Sequence, residues 1–217
     1  MISNIYQFLY LFFIYSFLGW CIEVIYVGLN RGHFVNRGFL SGPYCSIYGF
    51  GVLFVVCLLN PIKDNLLLLF VGSALLTTSL ELITGWLLDI IFHQRWWDYS
   101  NVPFNIKGYV CLKFAIIWGL GCLFVVKFVH PNVLMLVQHM DNIVCYILLF
   151  AIIVVFIADN IATITKTWKY RNKLVLTNKI ADDAKRFSDV IGQEIFDGAS
   201  EIADKVEDVK EYIDKKK

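Results

Sequence analysis

Residues 66–92 read LLLLFVGSALLTTSLELITGWLLDIIF, a run of 27 residues in which apolar side chains dominate but two acids, Glu81 and Asp89, are embedded. A helix rises about 1.5 Å per residue, so about 20 residues cross the roughly 30 Å of bilayer hydrocarbon. This stretch is therefore long enough to span. Stepping through it four residues at a time gives Ser73, Thr77, Glu81, Gly85, Asp89 and His93. Steps of four drift slowly around a helix of 3.6 residues per turn, so the polar groups form one gently winding ridge. A ridge of that kind faces other helices or a wet cavity, because each polar member carries a penalty against lipid.

The rest of the chain supports the same class. Apolar residues make up 58% of its 217 positions and mean hydropathy is +0.64, above an ordinary soluble domain. Five spans can be read: Ile5 to Leu29, Gly42 to Asn60, Leu66 to Phe92, Tyr109 to Val129 and Ile143 to Thr165. The expectation is an all-α, polytopic membrane helix bundle whose first partner is the lipid bilayer. No basic residue precedes the first run and no small-residue cleavage site follows it, so it reads as a span and not a removable signal. Arg31, Arg37, Arg95, Lys107, Lys113, Lys166, Lys169, Arg171 and Lys173 fall on one side of the spans, against Lys63 and Lys127 on the other. The positive-inside bias then places the N-terminus outside and the first loop, the third loop and the C-terminal tail in the cytoplasm.

Three regions follow: a transmembrane bundle at 1–165, a basic juxtamembrane segment at 166–177, and an amphipathic helical tail at 178–217. In the tail, Ile180, Ile191, Ile202 and Ile213 recur every eleven residues, with Ala184, Ile195 and Val206 as a second register and Phe187, Gly198 and Val209 as a third. Three apolar positions per eleven give a period of about 3.67, close to an unstrained helix. Gly192 and Gly198 each cost about 1 kcal/mol relative to alanine, which leaves the helix marginal alone. Eleven acids against eight bases, and no tryptophan, suit a partner helix better than an anionic membrane surface. The same tail of a second copy, in a homo-oligomer, is one such partner; a loosely ordered solubilising tail is the plain alternative.

Composition narrows the function classes. The basic residues cluster at span ends and leave no nucleic-acid footprint. No G-x-x-x-x-G-K-[ST] loop is present, so nucleotide hydrolysis, if it drives this protein, belongs to a separate ATPase subunit. Six cysteines occur without a C-x-x-C pair. Cys21, Cys57, Cys122 and Cys145 lie in apolar runs as small hydrophobes, and no disulfide is expected. Cys45 and Cys111, near the cytoplasmic ends of two spans, leave a metal or redox pair open beside the plain reading of two buried thiols. No cofactor is called for.

A central acid costs about 2.5–3.5 kcal/mol on insertion scales, so Glu23, Glu81 and Asp89 are functional candidates. Asp89 is the weakest, lying near the interface where His93 or Arg95 can pair with it. Gly19 and Glu23 on the first span, with Gly85 on the third, are expected to let two helix backbones approach. In RGHFVNRGFLSGPYCSIYGFG, residues 31–51, four glycines and a proline from Gly38 to Gly51 interrupt what should be a helix start. Such a backbone is tolerated at membrane depth only when buried in protein or lining water, so it reads as re-entrant or unwound. On the same face lies HQRWWDYSNVPFN, residues 93–105, where Trp96, Trp97 and Tyr99 suit the headgroup boundary. Asp98 can cap a following turn or pair with Arg95 or Arg37, and Pro103 stops the segment continuing as helix. An aromatic belt with a turn and a substrate-binding lid both fit.

The motifs FLGWCIE, GFLSGPYCSIYGFG, ELITG, RWWDYSNVPFNIKGYVC and WGLGC followed by HP closely resemble the bacterial family labelled "putative ABC-transporter permease, type IV", or CmpB-like. The resemblance covers roughly residues 8–131, leaving the fifth span and the tail outside it, and Ser46 departs from the proline of the pattern. It implies a multi-pass membrane protein with a transport role.

The function expected is a permease-like component that binds or moves a small polar or cationic solute through a cytoplasm-facing cavity. Glu23 and Glu81 would line that cavity, with Arg37, Tyr48, Trp97, Asp98 and Asn105 at its mouth. One rival is a structural role in which the acids only tie helices together. A second is a scaffold that recruits a partner through its tail. A third is a lipid-modifying enzyme using an acid pair, against which stands the absence of a nucleophile motif such as G-x-S-x-G; no catalytic residue is assigned.

Overall fold

The computed structural model describes the backbone of residues 4–36, 38–93, 95–140, 142–171 and 179–214, and their side chains apart from 168–171, 179–182 and 211–214. Seven α-helices follow in order: α1 (Ile5–Arg31), α2 (Ser46–Leu58), α3 (Leu66–Phe92), α4 (Leu112–Phe124), α5 (His130–Gln138), α6 (Ile143–Arg171) and α7 (Lys179–Asp214). A small antiparallel ribbon, β1 (Asn105–Ile106) with β2 (Val110–Cys111), precedes α4. Asn4 and Asn65 start α1 and α3 by accepting the Gln7 and Leu68 amides at 2.9 and 3.0 Å. Each satisfies an amide that has no partner within its own helix.

Among the described residues four helices are long and apolar enough to cross a membrane: α1, α3, the continuous stretch Leu112–Gln138, and α6. The second expected span takes the form of a shorter apolar helix. Helix α2 has 13 residues, about 20 Å, and begins at Ser46, because the described backbone at 32–36 and 38–45 stays irregular. The Cys45 amide donates to the Ser16 carbonyl near the middle of α1, at 2.9 Å, so this loop turns back deep into the bundle before α2 starts.

The fourth span is corrected, starting at Leu112 and running past Val129 to Gln138. A π-helical turn, Val125–Val129, absorbs the approach of Pro131. Proline lacks an N–H and its ring crowds the preceding turn, so the helix widens and the His130 amide bonds five residues back to Val125. The chain bends its hydrogen-bond pattern and stays helical.

Helix α1 packs on α2, α2 on α3, and α3 on α4. The expected close approach of the α1 and α3 backbones through Gly19 and Gly85 is not what these glycines do. The hollow at Gly19 holds the Tyr48 ring of α2, and the hollow at Gly85 holds Trp97 and Tyr109 of the α3–α4 connection. Away from these loops the core is apolar, built on Tyr10, Leu11, Phe12, Tyr15, Leu53, Val137 and Leu149. There Tyr15 bonds His130 at 2.8 Å, and the Tyr10 hydroxyl donates to the Cys145 carbonyl.

Helix α7 packs against α1 and α6 of its own chain. Over the first half of the helix these contacts lie within the chain. Phe196 fills the space over Gly28, while Gly192 lets Phe34 and Trp20 close against it. Asn36 joins the two parts, accepting from Trp20 Nε1 at 3.1 Å and donating to Asp189 at 2.9 Å. Beyond residue 200 the described side chains of α7 are exposed, Ile202, Val206 and Val209 among them.

Candidate functional site

The polar ridge of α3 faces protein: Ser73, Glu81 and Gly85 are three of the helix's four buried residues. Thr77 returns its hydroxyl to the Ser73 carbonyl at 2.8 Å, as a threonine in a helix does when no other acceptor is near. Glu81 is only 8% exposed. Tyr99 donates to its Oε1 at 3.0 Å, and Trp118 of α4 lies beside the same carboxylate. No donor meets Glu81 Oε2 within hydrogen-bonding geometry, and the buried Thr78 Oγ1, one turn earlier on α3, is likewise unbonded.

Glu23, half-buried on α1, accepts the Tyr48 hydroxyl at 2.6 Å. Gly19 makes that bond geometrically possible, since a Cβ there would sit inside the Tyr48 ring. The two acids share a neighbourhood. Burial, then the Glu81 charge and hydrogen bond, then the Glu23 charge hold the Tyr99 hydroxyl well above the usual phenol range. Tyr99 thus remains a donor between both carboxylates.

Aromatic rings wall this neighbourhood. Tyr48 meets Trp118 edge-on at 5.6 Å between centroids, Trp118 lies 6.2 Å from Phe114, and Phe114 stacks with Tyr99 at 4.8 Å. Tyr26 closes the belt edge-on to Phe114 at 6.5 Å. Two carboxylates within a ring of π-faces form an electronegative surface in a low-dielectric setting.

The loops that deliver the tyrosines are built, not slack. From Arg95 to Cys111 the chain folds on itself: Tyr99 N donates to Gly108 O and Trp97 Nε1 to Tyr109 O, both at 2.8 Å. Lys107 and Gly108 both have positive φ, 51° and 76°, and Tyr109 N reaches Ile106 O at 3.0 Å, the pattern of a type I′ turn. At Gly108 a Cβ would also lie 2.5 Å from Asp98 Oδ1, so glycine is required twice over. Arg95 pins the hairpin to α3, with Nε 3.2 Å from Asp89 and its guanidinium 4.7 Å over the Tyr109 ring. Tyr109 donates to the same Asp89 oxygen at 2.7 Å.

The re-entrant loop is held by a residue that the sequence reading passed over. Asp159 of α6 is fully buried and accepts from Gly42 N at 2.9 Å, Tyr44 Oη at 2.6 Å, Thr163 Oγ1 at 3.1 Å and Ser41 N at 3.3 Å. The signal was available, since Asp159 interrupts the apolar run FIADNIATIT just as Glu81 interrupts its own. It is a fourth acid beside the three singled out. Tyr99 and Trp118 were also missed as neighbours of the acids, because only folding brings the hairpin and α4 to α3.

Of the residues expected at the mouth, Tyr48 joins the acids directly. Trp97, Asp98 and Asn105 are engaged within the hairpin. Asp98 accepts from both the Ser100 amide at 2.9 Å and its hydroxyl, and lies 3.6 Å from Arg95. These two hydrogen bonds, with Arg95 beside them, hold its carboxyl below the ordinary range. Asn105 donates to the Val102 carbonyl at 2.8 Å and the Ser100 carbonyl at 3.2 Å and accepts from Gly108 N at 3.0 Å. Arg37 lies outside the described residues, as does most of the basic juxtamembrane segment. Cys45 and Cys111 are both buried.

No solved structure matches the chain. A family model described as "Putative ABC-transporter type IV" matches residues 10–164, which extends the resemblance beyond residue 131 and through most of α6, Asp159 included. The apolar helices and this match fit a membrane transport component. The chain belongs to the type IV ABC-transporter family, CmpB.

Proposed function

We propose that this chain is the solute-binding membrane component of a transporter, with Glu23 and Glu81 as the groups that meet a small polar or cationic solute. The observation that carries the reading is the unbonded Oε2 of Glu81, buried beside a second acid. Asp159 supplies the contrast within the same bundle. A carboxylate that only ties helices together has its oxygens filled by donors, as Asp159 does four times over. Glu81 keeps an acceptor open where burial makes that costly, which suits a group that completes its bonding with a ligand. Tyr48 and Tyr99 orient the acids, while Trp97, Asp98 and Asn105 shape the hairpin that presents Tyr99.

The positive-inside bias supports an opening toward the cytoplasm of a bacterial cell, at the end where the re-entrant loop and the hairpin meet through Phe39, Phe92 and Trp96. The family supports a separate ATPase subunit as partner. A scaffold role draws on one specific feature, the exposed apolar side chains of distal α7. It adds a partner surface to the transporter reading without replacing it.

The test is retention of solutes by protein in lipid nanodiscs equilibrated with a small-molecule cell extract, washed and analysed by mass spectrometry. At least one polar solute should be held by the native chain and lost from both Glu23→Gln and Glu81→Gln, each recovered folded and inserted. Equal retention by the native chain and both variants would refute the reading. So would variants that fail to fold, which would mark the acids as structural.

A further inference from the structure

The site reading above leaves the chemical class of solute open, and the arrangement of unbonded atoms and rings narrows it. We propose that the acid pair recognises a protonated alkylamine, whose N–H groups donate to Glu81 Oε2 and Thr78 Oγ1 while its alkyl body lies against Tyr48, Trp118, Phe114 and Tyr99. This rests on the site proposed for transport.

Three features select the class. The two open atoms, Glu81 Oε2 and Thr78 Oγ1, are both able to accept, and residues three apart share a helix face. A ligand that satisfies both must carry at least two donor hydrogens on a compact centre, as a primary ammonium does. The charge of the site asks for a cation, because Glu81 and Glu23 act on the same tyrosine hydroxyl. An anion would meet only repulsion there.

The walls separate an organic cation from an inorganic one. Calcium takes six to eight oxygen ligands and magnesium near-octahedral oxygen coordination. Among the described residues no group of three or more His, Cys, Asp or Glu side chains is placed to hold a metal. The surroundings of the acids are instead ring faces and edges at 4.8–6.2 Å spacing. Aromatic faces attract an ammonium electrostatically and cover an alkyl chain at the same time. The belt already carries one such contact, Lys113 Nζ at 5.9 Å from the Phe114 centroid. A quaternary ammonium would use the rings equally well but has no N–H to offer, and would leave both open oxygens unsatisfied.

The experiment is calorimetric titration of the full chain in phosphatidylcholine nanodiscs with n-butylammonium chloride. Tetramethylammonium chloride, n-butanol and potassium chloride serve as comparators. Butylammonium should bind saturably, and tetramethylammonium and butanol at least tenfold more weakly. Glu81→Gln should weaken butylammonium at least tenfold, and the isosteric Thr78→Val about three- to tenfold. Thr78→Val also keeps the test decisive should Glu81→Gln fold poorly. The assignment is overturned if butylammonium gives no saturable binding. It is equally overturned if tetramethylammonium or butanol binds as tightly, or if folded Glu81→Gln and Thr78→Val bind like the native chain. An extract solute retained in an acid-dependent manner that is not an amine would overturn this class and leave the transport reading standing. Retention that ignores the acids would overturn both.

Discussion

Replacing Asp159 by asparagine should unlock the re-entrant loop and leave the helices in place. The native carboxylate presents one oxygen to Gly42 N and Tyr44 Oη and the other to Ser41 N and Thr163 Oγ1, all four of them donors. An amide of the same shape can keep only one of those oxygens. Its NH2 then faces one backbone N–H, which it cannot bond, and one hydroxyl, which must turn round to accept. In membrane bundles a side-chain hydrogen bond is worth about 0.6–2 kcal/mol, and bonds to a carboxylate lie toward the upper end. One bond lost outright and a second weakened therefore amount to roughly 1–3 kcal/mol favouring the open loop. Since about 1.4 kcal/mol is a factor of ten, the open population should rise about 5- to 150-fold. Cys45 is a built-in reporter, a thiol only 8% exposed at the end of this loop. Maleimide labelling resolved by mass spectrometry in detergent or nanodiscs should show Cys45 modified faster by that factor. Cys145, outside the loop on α6, should keep its native rate. Tyr44→Phe removes one of the same bonds, so adding it to Asp159→Asn should cost less than the two changes summed. Unchanged Cys45 protection in a folded Asp159→Asn protein would refute the claim that this carboxylate holds the loop.

Three further outcomes follow from the hairpin and the tail. Gly108→Ala should lower the melting temperature and loosen Tyr99. The strained φ of 76° costs about 1–2 kcal/mol, and the added methyl displaces Asp98 and Ser100 as well. Gly108→Asn, which tolerates positive φ, should do no better because its Cβ meets the same atoms, and a stable asparagine variant would show that backbone strain alone matters. Phe196→Ala should release α7 from α1 at a cost of about 2–4 kcal/mol for a buried ring, read as faster proteolysis between residues 183 and 200; native-like cleavage would mean the tail is held elsewhere. Asp98 is held below the ordinary carboxylate value of 3.8, chiefly by Ser100. Its contribution is thus complete above 3.8 and lost as pH falls through its folded value. Tryptophan fluorescence between pH 5 and 2.5 should show the hairpin of Ser100→Ala failing at a higher pH than the native one, and coincident midpoints would count against the assignment.

What the sequence made legible was what periodicity alone can carry. Four-residue steps from Ser73 to Asp89 need only helix geometry to fall on one face, and Glu81 and Gly85 are indeed buried there. The eleven-residue spacing in the tail likewise foretold a helix, observed as Lys179–Asp214. Its partner was not legible, because the match between Phe196 and Gly28, or between Gly192 and Phe34, is one of shapes brought together across more than 150 residues. Helix α2 looked like a span because Gly42 to Asn60 is apolar enough to be one. What shortens it is the loop's own bonding to Asp159 and Ser16, which hydropathy does not register. The fourth span, read as ending at Val129, errs in the opposite direction, since a single π-turn lets the helix pass Pro131. The acids were visible one by one, but the tyrosines that bond them come from α2 and from the hairpin, and only tertiary structure pairs Tyr48 with Glu23 or Tyr99 with Glu81.

The two tyrosines reach their acids from supports of different kinds, and this bears on how the site is held. Tyr48 rides on α2, whose start is fixed by backbone bonds to Ser16 and by a loop clamped on a fully buried carboxylate. Nothing in that chain of contacts is open to water or salt. Tyr99 rides on a hairpin whose internal bonds are complete and whose Trp97 and Tyr109 pack at Gly85, but whose polar tie to α3 outside the site is the Asp89, Arg95 and Tyr109 cluster, with the Arg95 side chain 37% exposed and that of Asp89 28%. An ion pair so placed is worth roughly 0–1 kcal/mol and is screened by salt, whereas buried bonds of the α2 loop keep their strength. The Glu23–Tyr48 side of the site is therefore the rigid one. The Glu81–Tyr99 side is the softer, and it carries the unbonded oxygen.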